Sequence, residues 1–332
     1  MIITREAAEK MNKETLAELA SKYASEFAHR LGHNGDVVIK PAEVVFDKRD
    51  ARNQLLATYN PRKYPKSLRE FAKFKYDGLK KDIDESSPFV LGGVAFIPIK
   101  PLNDDARDLI EMVSPQSVRE IGFFERLINR VCPSKEDYAL LYGFGGEVGH
   151  ITGHKIYKNE AKGGLGEALD IGSSLFELLN DVRFIGEQTK SSKDLDAVFR
   201  ELYLDNLSFN RQAVSFVETM LFGGVEAMQQ QIVAVKKYDK RQATLASLMF
   251  KRDYILTSHY DGAKLFLEVY DSVGGNLDKT YLQLGSILAH PKVTNIETAL
   301  AEVGYSPERL SKYAGLFENT ITQRCERAIK IK

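Results

Sequence analysis

The stretch YGFGGEVGHITGHKIY, residues 142–157, is the most informative segment of the chain and contains the residues from which a function can be argued. Glu147, His150 and His154 fall at positions i, i+3 and i+7 of a helix, so their side chains share one face over two turns. Three glycines recur at four-residue spacing on an adjacent stripe that begins with Gly145. Since each glycine costs a helix about 1 kcal/mol relative to alanine, the stripe predicts a closely packed neighbour or a broken helix.

Composition limits the class of protein. The chain has 332 residues, of which 43% are hydrophobic and 28% charged, as expected for one large or two ordinary folded domains. Its 46 basic and 46 acidic side chains give zero formal charge, which argues against a protein devoted to non-specific nucleic-acid binding. Two cysteines, Cys132 and Cys325, form neither a disulfide framework nor a four-cysteine zinc site.

The expected location is the cytoplasm. The N-terminal sequence MIITREAAEKMNKE turns charged at once and lacks the apolar core of a secretory signal. The sequence has no run of about 18 apolar residues, which is the length that a membrane span would require. A reducing compartment fits the low cysteine content, so we expect a soluble cytoplasmic protein without a lipid anchor.

Hydrophobic periodicity predicts a mainly helical α+β protein with a small β-containing region near the N-terminus. A helix capped by Asn12 is expected over 12–31. The apolar run 88–101 is the strongest strand signal, and Gly92 with Gly93 predicts a hairpin or a bulge within it.

Pro133 marks a predicted division between an N-terminal α/β region, 1–133, and a helical domain, 134–332, that carries the candidate metal site. After this proline the β signal almost disappears. Helices are predicted over 104–113, 116–131, 195–205, 207–236, 240–254, 258–272, 278–289, 295–303 and 307–330.

The segments that flank the central stretch carry helix-start signals. Ser134 begins a capping-box-like sequence for the central helix, and residues 158–173 are predicted to form a Gly-rich loop. Ser174 and Glu177 form a second predicted capping box, for a helix over 175–188. Glu177 therefore has a structural explanation as well as a functional one.

Two other features have a functional and a structural interpretation. His29 and His33 form a second i, i+4 pair, but the second lies past Gly32, where the helix is expected to end. Histidine in a last turn is favoured by the helix dipole, and we prefer this interpretation to a metal site. Whether the pair approaches the central helix is left open.

The segment 62–81, RKYPKSLREFAKFKYDGLKK, interleaves basic residues with aromatic ones. That combination suits nucleic acid, since cations contact phosphates and rings stack on bases. The other interpretation is an amphipathic helix whose inward side chains are Leu68, Phe71, Phe74 and Leu79. Zero net charge favours the amphipathic helix and leaves nucleic-acid binding as the weaker alternative.

Residues 141–187 resemble a zincin-type metallopeptidase of the kind found beside von Willebrand A domains. In that family a helix with His-Glu-x-Gly-His precedes a helix of the pattern Leu-Phe-Asn-x-x-Glu-Asp-x-Arg-x-Glu. GEVGH at 146–150 occupies the first motif and LFELLNDVR at 175–183 the second. The resemblance implies a zincin-like helical core, with Glu147 as general base and His150 as the second zinc ligand.

The chain departs from the family pattern at three positions. Gly146 stands where the family has its first zinc histidine, Asn180 replaces the glutamate before Asp181, and Ile185 replaces the final glutamate. The metal site of the family is therefore incomplete in this sequence.

Two alternatives follow from the missing histidine. In one, the site has shifted by one turn, so that His150 and His154 hold Zn²⁺ with Asp181 or Glu177, and Glu147 transfers protons. The protein is then a metal-dependent hydrolase with a peptide or protein substrate, or a catalytically impaired relative. In the other, no metal is bound and the chain is a structural or protein-interaction protein whose glycine stripe allows close helix packing.

Overall fold

The computed structural model describes residues 1–63, 69–102, 138–157, 164–189 and 258–310. In these ranges the chain is mainly helical with two small sheets, which confirms the predicted α+β class. The helices predicted over 104–113, 116–131, 195–205, 207–236 and 240–254 lie outside the described residues. Within the described part, every helix is too short or too polar to cross a membrane.

The described helices and strands follow one another along the chain with short connections. The helices are α1 (Arg5–Glu9), α2 (Lys13–Arg30), α3 (Lys48–Tyr59), α4 (Arg69–Asp84), α5 (Phe144–Ile156), α6 (Gly164–Thr189), α7 (Ser258–Ser272), α8 (Leu277–Ala289) and α9 (Ile296–Glu302). The strands are β1 (Ile2–Thr4), β2 (Val44–Val45), β3 (Phe89–Leu91), β4 (Val94–Phe96), β5 (Ile99–Pro101) and β6 (Tyr138–Leu141).

Strand β6 is the centre of an antiparallel sheet with β1 on one side and β5 on the other. It corrects the prediction that the chain loses its β structure after Pro133. The run YALL is almost wholly buried, and a short buried apolar run has no alternation by which to tell a strand from a helix. The central helix does not run from Ser134 as predicted, because Tyr138–Leu141 form a strand and the helix begins at Phe144. Ser134 itself lies outside the described residues.

The proposed division at residue 133 stays a prediction. Strands from both sides of it pair in the β1–β6–β5 sheet, and one hydrophobic core includes buried residues from both regions.

The second sheet pairs β2 with β4 in parallel and β4 with β3 as a hairpin. Gly92 and Gly93 have φ angles of 59° and 77°, the left-handed conformation of a two-residue type I′ turn. The hairpin predicted at this glycine pair is confirmed.

Helix α2, Lys13–Arg30, confirms the helix predicted over 12–31. The Asn12 side chain accepts a hydrogen bond from the Thr15 backbone N–H at 2.8 Å, as an N-cap does. His29 is exposed in the last turn, and Gly32, at φ 82°, ends the helix before His33. This placement agrees with the interpretation of the histidines as a helix-end feature.

Helix α4 begins inside the basic segment 62–81, extends to Asp84 and has one buried side. Ala72 and Ile83 are fully buried, whereas Lys73 and Lys80 are exposed. The side chains of Leu68, Phe71 and Phe74 lie outside the described residues, and Leu79 is partly buried against a small core. The amphipathic interpretation accounts for this helix, and nucleic-acid binding stays a prediction.

Helix α6 is the central element of the larger core and begins earlier than predicted. It starts at Gly164, so the loop predicted over 158–173 is wrong from residue 164 on, and residues 158–163 lie outside the described residues. The predicted capping box is also wrong, because Ser174 and Glu177 lie inside the helix. The glycines of this segment lower its helix propensity, yet a side chain at Gly172 would press on the rings of Phe266 and Tyr281. Close packing against neighbouring helices therefore outweighs the propensity.

We expect Gly149→Ala to destabilise the protein, because the added methyl carbon would lie 2.5 Å from Ser173 Cβ. The free energy of unfolding in urea should fall by roughly 1–3 kcal/mol, as for other overpacked cores. Gly78→Ala in α4 is the matched control, since nothing lies within 4 Å of its new carbon. That variant should gain about 0.5–1 kcal/mol. An unchanged midpoint for Gly149→Ala would show that α5 and α6 are not closely packed.

Candidate metal site between helices α5 and α6

The central stretch forms helix α5 immediately after strand β6. Gly143 makes the turn between them at φ 64°, a conformation that a side chain would strain, and it lies against the Pro88 ring. The helical conformation expected for the central stretch is confirmed over Phe144–Ile156, and its glycines do not break the helix.

The glycine stripe packs against α6. Gly145 and Gly149 are buried beside Ser173, whose hydroxyl donates a hydrogen bond to the Gly145 carbonyl at 2.6 Å. A Cβ atom at Gly145 would lie 2.7 Å from Glu177 Cβ. The predicted close neighbour is therefore a helix of the same chain.

This close approach brings together one histidine from α5 and two carboxylates from α6. Ligand atoms of His150, Glu167 and Asp170 all lie within 4.8 Å of one another. His150 Nε2 is 3.9 Å from Asp170 Oδ2, and these side chains are 24% and 23% exposed. The cluster is partly buried but open to solvent, as a metal site must be for an ion to enter.

Glu147 lies beside the same cluster, one turn before His150. Burial raises its pKa well above the usual value, and the negative charges of Asp170 and Glu167 raise it further. The site thus has three carboxyl groups and one imidazole. Repulsion among the ionised carboxyl groups favours a bound cation or a proton.

One further contact orients Asp170. The Ser174 hydroxyl, one turn later on α6, donates to Asp170 Oδ1 at 3.3 Å. Hydrogen bonds of this kind hold metal-ligating carboxylates in a fixed orientation.

The sequence-predicted site residues fall into two groups. Glu147 and His150 meet at the cluster, whereas His154 is exposed in the last turn of α5. Glu177 accepts the Gly145 N–H at 2.7 Å and contacts the amino group of Met1.

Asp181 belongs to this second location. Its Oδ2 lies 3.3 Å from the Met1 amino group, and its Oδ1 accepts the Ile2 N–H at 3.1 Å. In the described residues, the candidate metal-binding cluster therefore contains neither His154 nor Glu177 nor Asp181.

Sequence reasoning missed Glu167 and Asp170, although a signal was present. Glu-x-x-His at 147–150 and Glu-x-x-Asp at 167–170 each place two ligand-type side chains at i and i+3, on one helix face. The assignment of 158–173 to a loop concealed the second pair.

Comparisons with family models, with curated proteins and with solved structures found no match to this chain. The class of protein must therefore be argued from the site itself, and the zincin resemblance stays a prediction.

The raised pKa of Glu147 predicts how stability changes with pH in the metal-free protein. The unfolded carboxyl titrates near 4.5, whereas the folded one keeps its proton to higher pH. Between the pKa of the unfolded state and that of the folded state, unfolding releases a proton. In this range the free energy of unfolding falls with rising pH by up to about 1.4 kcal/mol per pH unit.

We expect Glu147→Gln, which cannot ionise, to lose less stability than the unmutated chain as the pH rises above 4.5, the usual pKa of this carboxyl group. Urea unfolding in the presence of a chelator measures the difference. Parallel stability curves for the two proteins would contradict the assigned environment of Glu147.

Proposed function

We propose that this protein is a metal-dependent hydrolase whose divalent cation binds between α5 and α6. The ligands are His150, Glu167 and Asp170, and Glu147 lies next to them. The observation that supports the proposal is the convergence of three ligand atoms within 4.8 Å from two helices held in close contact.

The donor atoms favour a hard cation. Two or three carboxylates with one imidazole match the preferences of Mg²⁺ and Mn²⁺, which take oxygen ligands readily. The zincin arrangement uses two histidines from one helix, and His154 is not part of the cluster. Zn²⁺, expected from the resemblance, is therefore the weaker choice.

A cation at this position would also remove an electrostatic cost. The charges of Asp170 and Glu167 act on Glu147 and oppose its ionisation. Positive charge among them lets all three carboxyl groups ionise, so that metal binding and proton release are coupled.

The bound metal would polarise a substrate oxygen and lower the pKa of a coordinated water. The charges of the ligand carboxylates act on Glu147 and raise its pKa, so this carboxyl group is a candidate for accepting and returning a proton. Hard cations held by few carboxylates keep coordination positions for phosphate oxygens, so we favour a phosphate ester or anhydride as substrate. A peptide is the alternative that the zincin resemblance implies.

The structural or interaction role remains the alternative from another class. The glycine stripe does not favour it, because α6 of the same chain already covers Gly145 and Gly149. A measurement of metal binding distinguishes the metal-dependent hydrolase from the structural or interaction protein.

Calorimetric titration with Mn²⁺ tests the ligand assignment. His150→Ala and Asp170→Asn should each weaken binding by at least about tenfold, a loss of 1.4 kcal/mol. His154→Ala is the matched control on the same helix and should bind as the unmutated chain does. Equal losses for both histidine variants would favour the shifted zincin site, and no binding to the unmutated chain would refute the proposal.

Turnover tests the reaction. With Mg²⁺ or Mn²⁺ present, phosphate release from pyrophosphate or p-nitrophenyl phosphate is expected, and Glu147→Gln should reduce kcat by about 10²-fold or more. The same assay with Zn²⁺ and a casein digest covers the peptidase alternative. Cleavage of peptide alone would overturn the choice of substrate.

A further inference from the structure

Gly146 differs from the neighbouring glycines of α5 in what its missing side chain leaves room for. Gly145, Gly146 and Gly149 are all buried at the contact with α6. A Cβ atom at Gly145 or Gly149 would meet groups of α6 that lie outside the candidate metal cluster. A Cβ atom at Gly146 would instead overlap Asp170 Oδ1, which belongs to a candidate ligand.

The Asp170 carboxylate lies along α5 with its two oxygens in different places. Oδ1 occupies the space that a side chain at Gly146 would need, and Oδ2 lies 3.9 Å from His150 Nε2. The Ser174 hydroxyl donates to Oδ1 at 3.3 Å and would itself lie 3.1 Å from a Cβ atom at Gly146. A side chain at this position would therefore displace both the carboxylate and the hydroxyl that orients it.

The carboxylate stands where α5 could have provided a ligand of its own. Side chains at i and i+4 of a helix share one face and can bind a single metal ion, and His150 occupies the second of two such positions. Gly146 supplies no donor at the first position, and the Asp170 carboxylate of α6 fills the space instead. The cluster therefore has one imidazole and two carboxylates.

We propose that Gly146 determines which metal ion the site selects, because its missing side chain admits the Asp170 carboxylate beside His150. This inference rests on the proposed metal-binding function and specifies its selectivity. Carboxylate ligands suit Mg²⁺ and Mn²⁺, whereas imidazole ligands suit Zn²⁺. Gly146 acts through Asp170 and does not itself touch the ion, so it is a positioning residue.

Gly146→Ala tests the positioning of Asp170. In calorimetric titration of the full chain, this variant should bind Mn²⁺ about tenfold or more weakly, because its methyl group moves the carboxylate away from His150. Gly149→Ala is the matched control, since its methyl group crowds the same helix contact but meets Ser173. The control should bind Mn²⁺ nearly as the unmutated chain does.

Truncation of Asp170 shows whether the two positions act together. In an Asp170→Ala chain no carboxylate remains to be displaced, so the addition of Gly146→Ala should not weaken Mn²⁺ binding further. Urea unfolding in the presence of a chelator gives a second measurement of the same coupling. Gly146→Ala should raise the midpoint more in the Asp170→Ala chain than in the chain that keeps Asp170.

Gly146→His combined with Asp170→Ala tests the choice of metal. The first substitution places a second imidazole one turn before His150, at the spacing of paired zinc ligands. The ratio of Zn²⁺ affinity to Mn²⁺ affinity should rise about tenfold or more relative to the unmutated chain, which corresponds to 1.4 kcal/mol. A general loss of stability would weaken both ions and leave this ratio unchanged.

Three results would overturn the inference and leave the metal site intact. The first is Gly146→Ala that binds Mn²⁺ as tightly as the unmutated chain, and the second is an equal loss for Gly149→Ala, which would assign the effect to helix separation. The third is an unchanged metal ratio in the variant with Gly146→His and Asp170→Ala, shown by circular dichroism to be folded. Absence of Mn²⁺ binding to the unmutated chain is a different outcome, which would refute the metal site together with this inference.

Discussion

The close contact between α5 and α6 positions the central helices of the fold and the side chains of the candidate metal site. Gly145 and Gly149 remove the side chains that would separate the helices, and Ser173 fills the space while its hydroxyl donates to the Gly145 carbonyl at 2.6 Å. Tyr23 of α2 also donates to the Ser173 carbonyl, so a third helix is joined to the same point. Each glycine lowers intrinsic helix stability, and tertiary packing offsets that cost.

The same contact determines which ionisable side chains meet at the candidate metal site. Helices this close place the i, i+3 pairs at 147–150 and 167–170 opposite each other, which crowds three carboxyl groups around one imidazole. Such crowding is unfavourable unless a cation or a proton relieves it. Further along α6, Glu177 and Asp181 are also buried, but the Gly145 N–H, the Ile2 N–H and the Met1 amino group contact them. The pair of Glu167 and Asp170 and the pair of Glu177 and Asp181 therefore have different roles, although both lie on α6.

Local signals predicted much of this fold, and tertiary contacts account for what they missed. The Asn12 cap, the hairpin at Gly92 and Gly93, and the helical conformation of 144–156 depend on neighbouring residues and were predicted correctly. Strand β6 and the first turns of α6 depend on distant partners, so a buried apolar run and a glycine-rich segment were misread. At the site, motif spacing identified Glu147 and His150. The i, i+3 spacing of Glu167 and Asp170 was also visible in the sequence, but only the packing of α6 shows that they face α5.

Anomalous diffraction from crystals soaked in Mn²⁺ would show whether a cation binds between α5 and α6. A single peak should lie between α5 and α6, about 2.0–2.4 Å from a carboxylate oxygen of Glu167 or Asp170 and from an imidazole nitrogen of His150. A peak at His154, or at Glu177 and Asp181, would contradict the account, as would well-ordered helices with no peak between them.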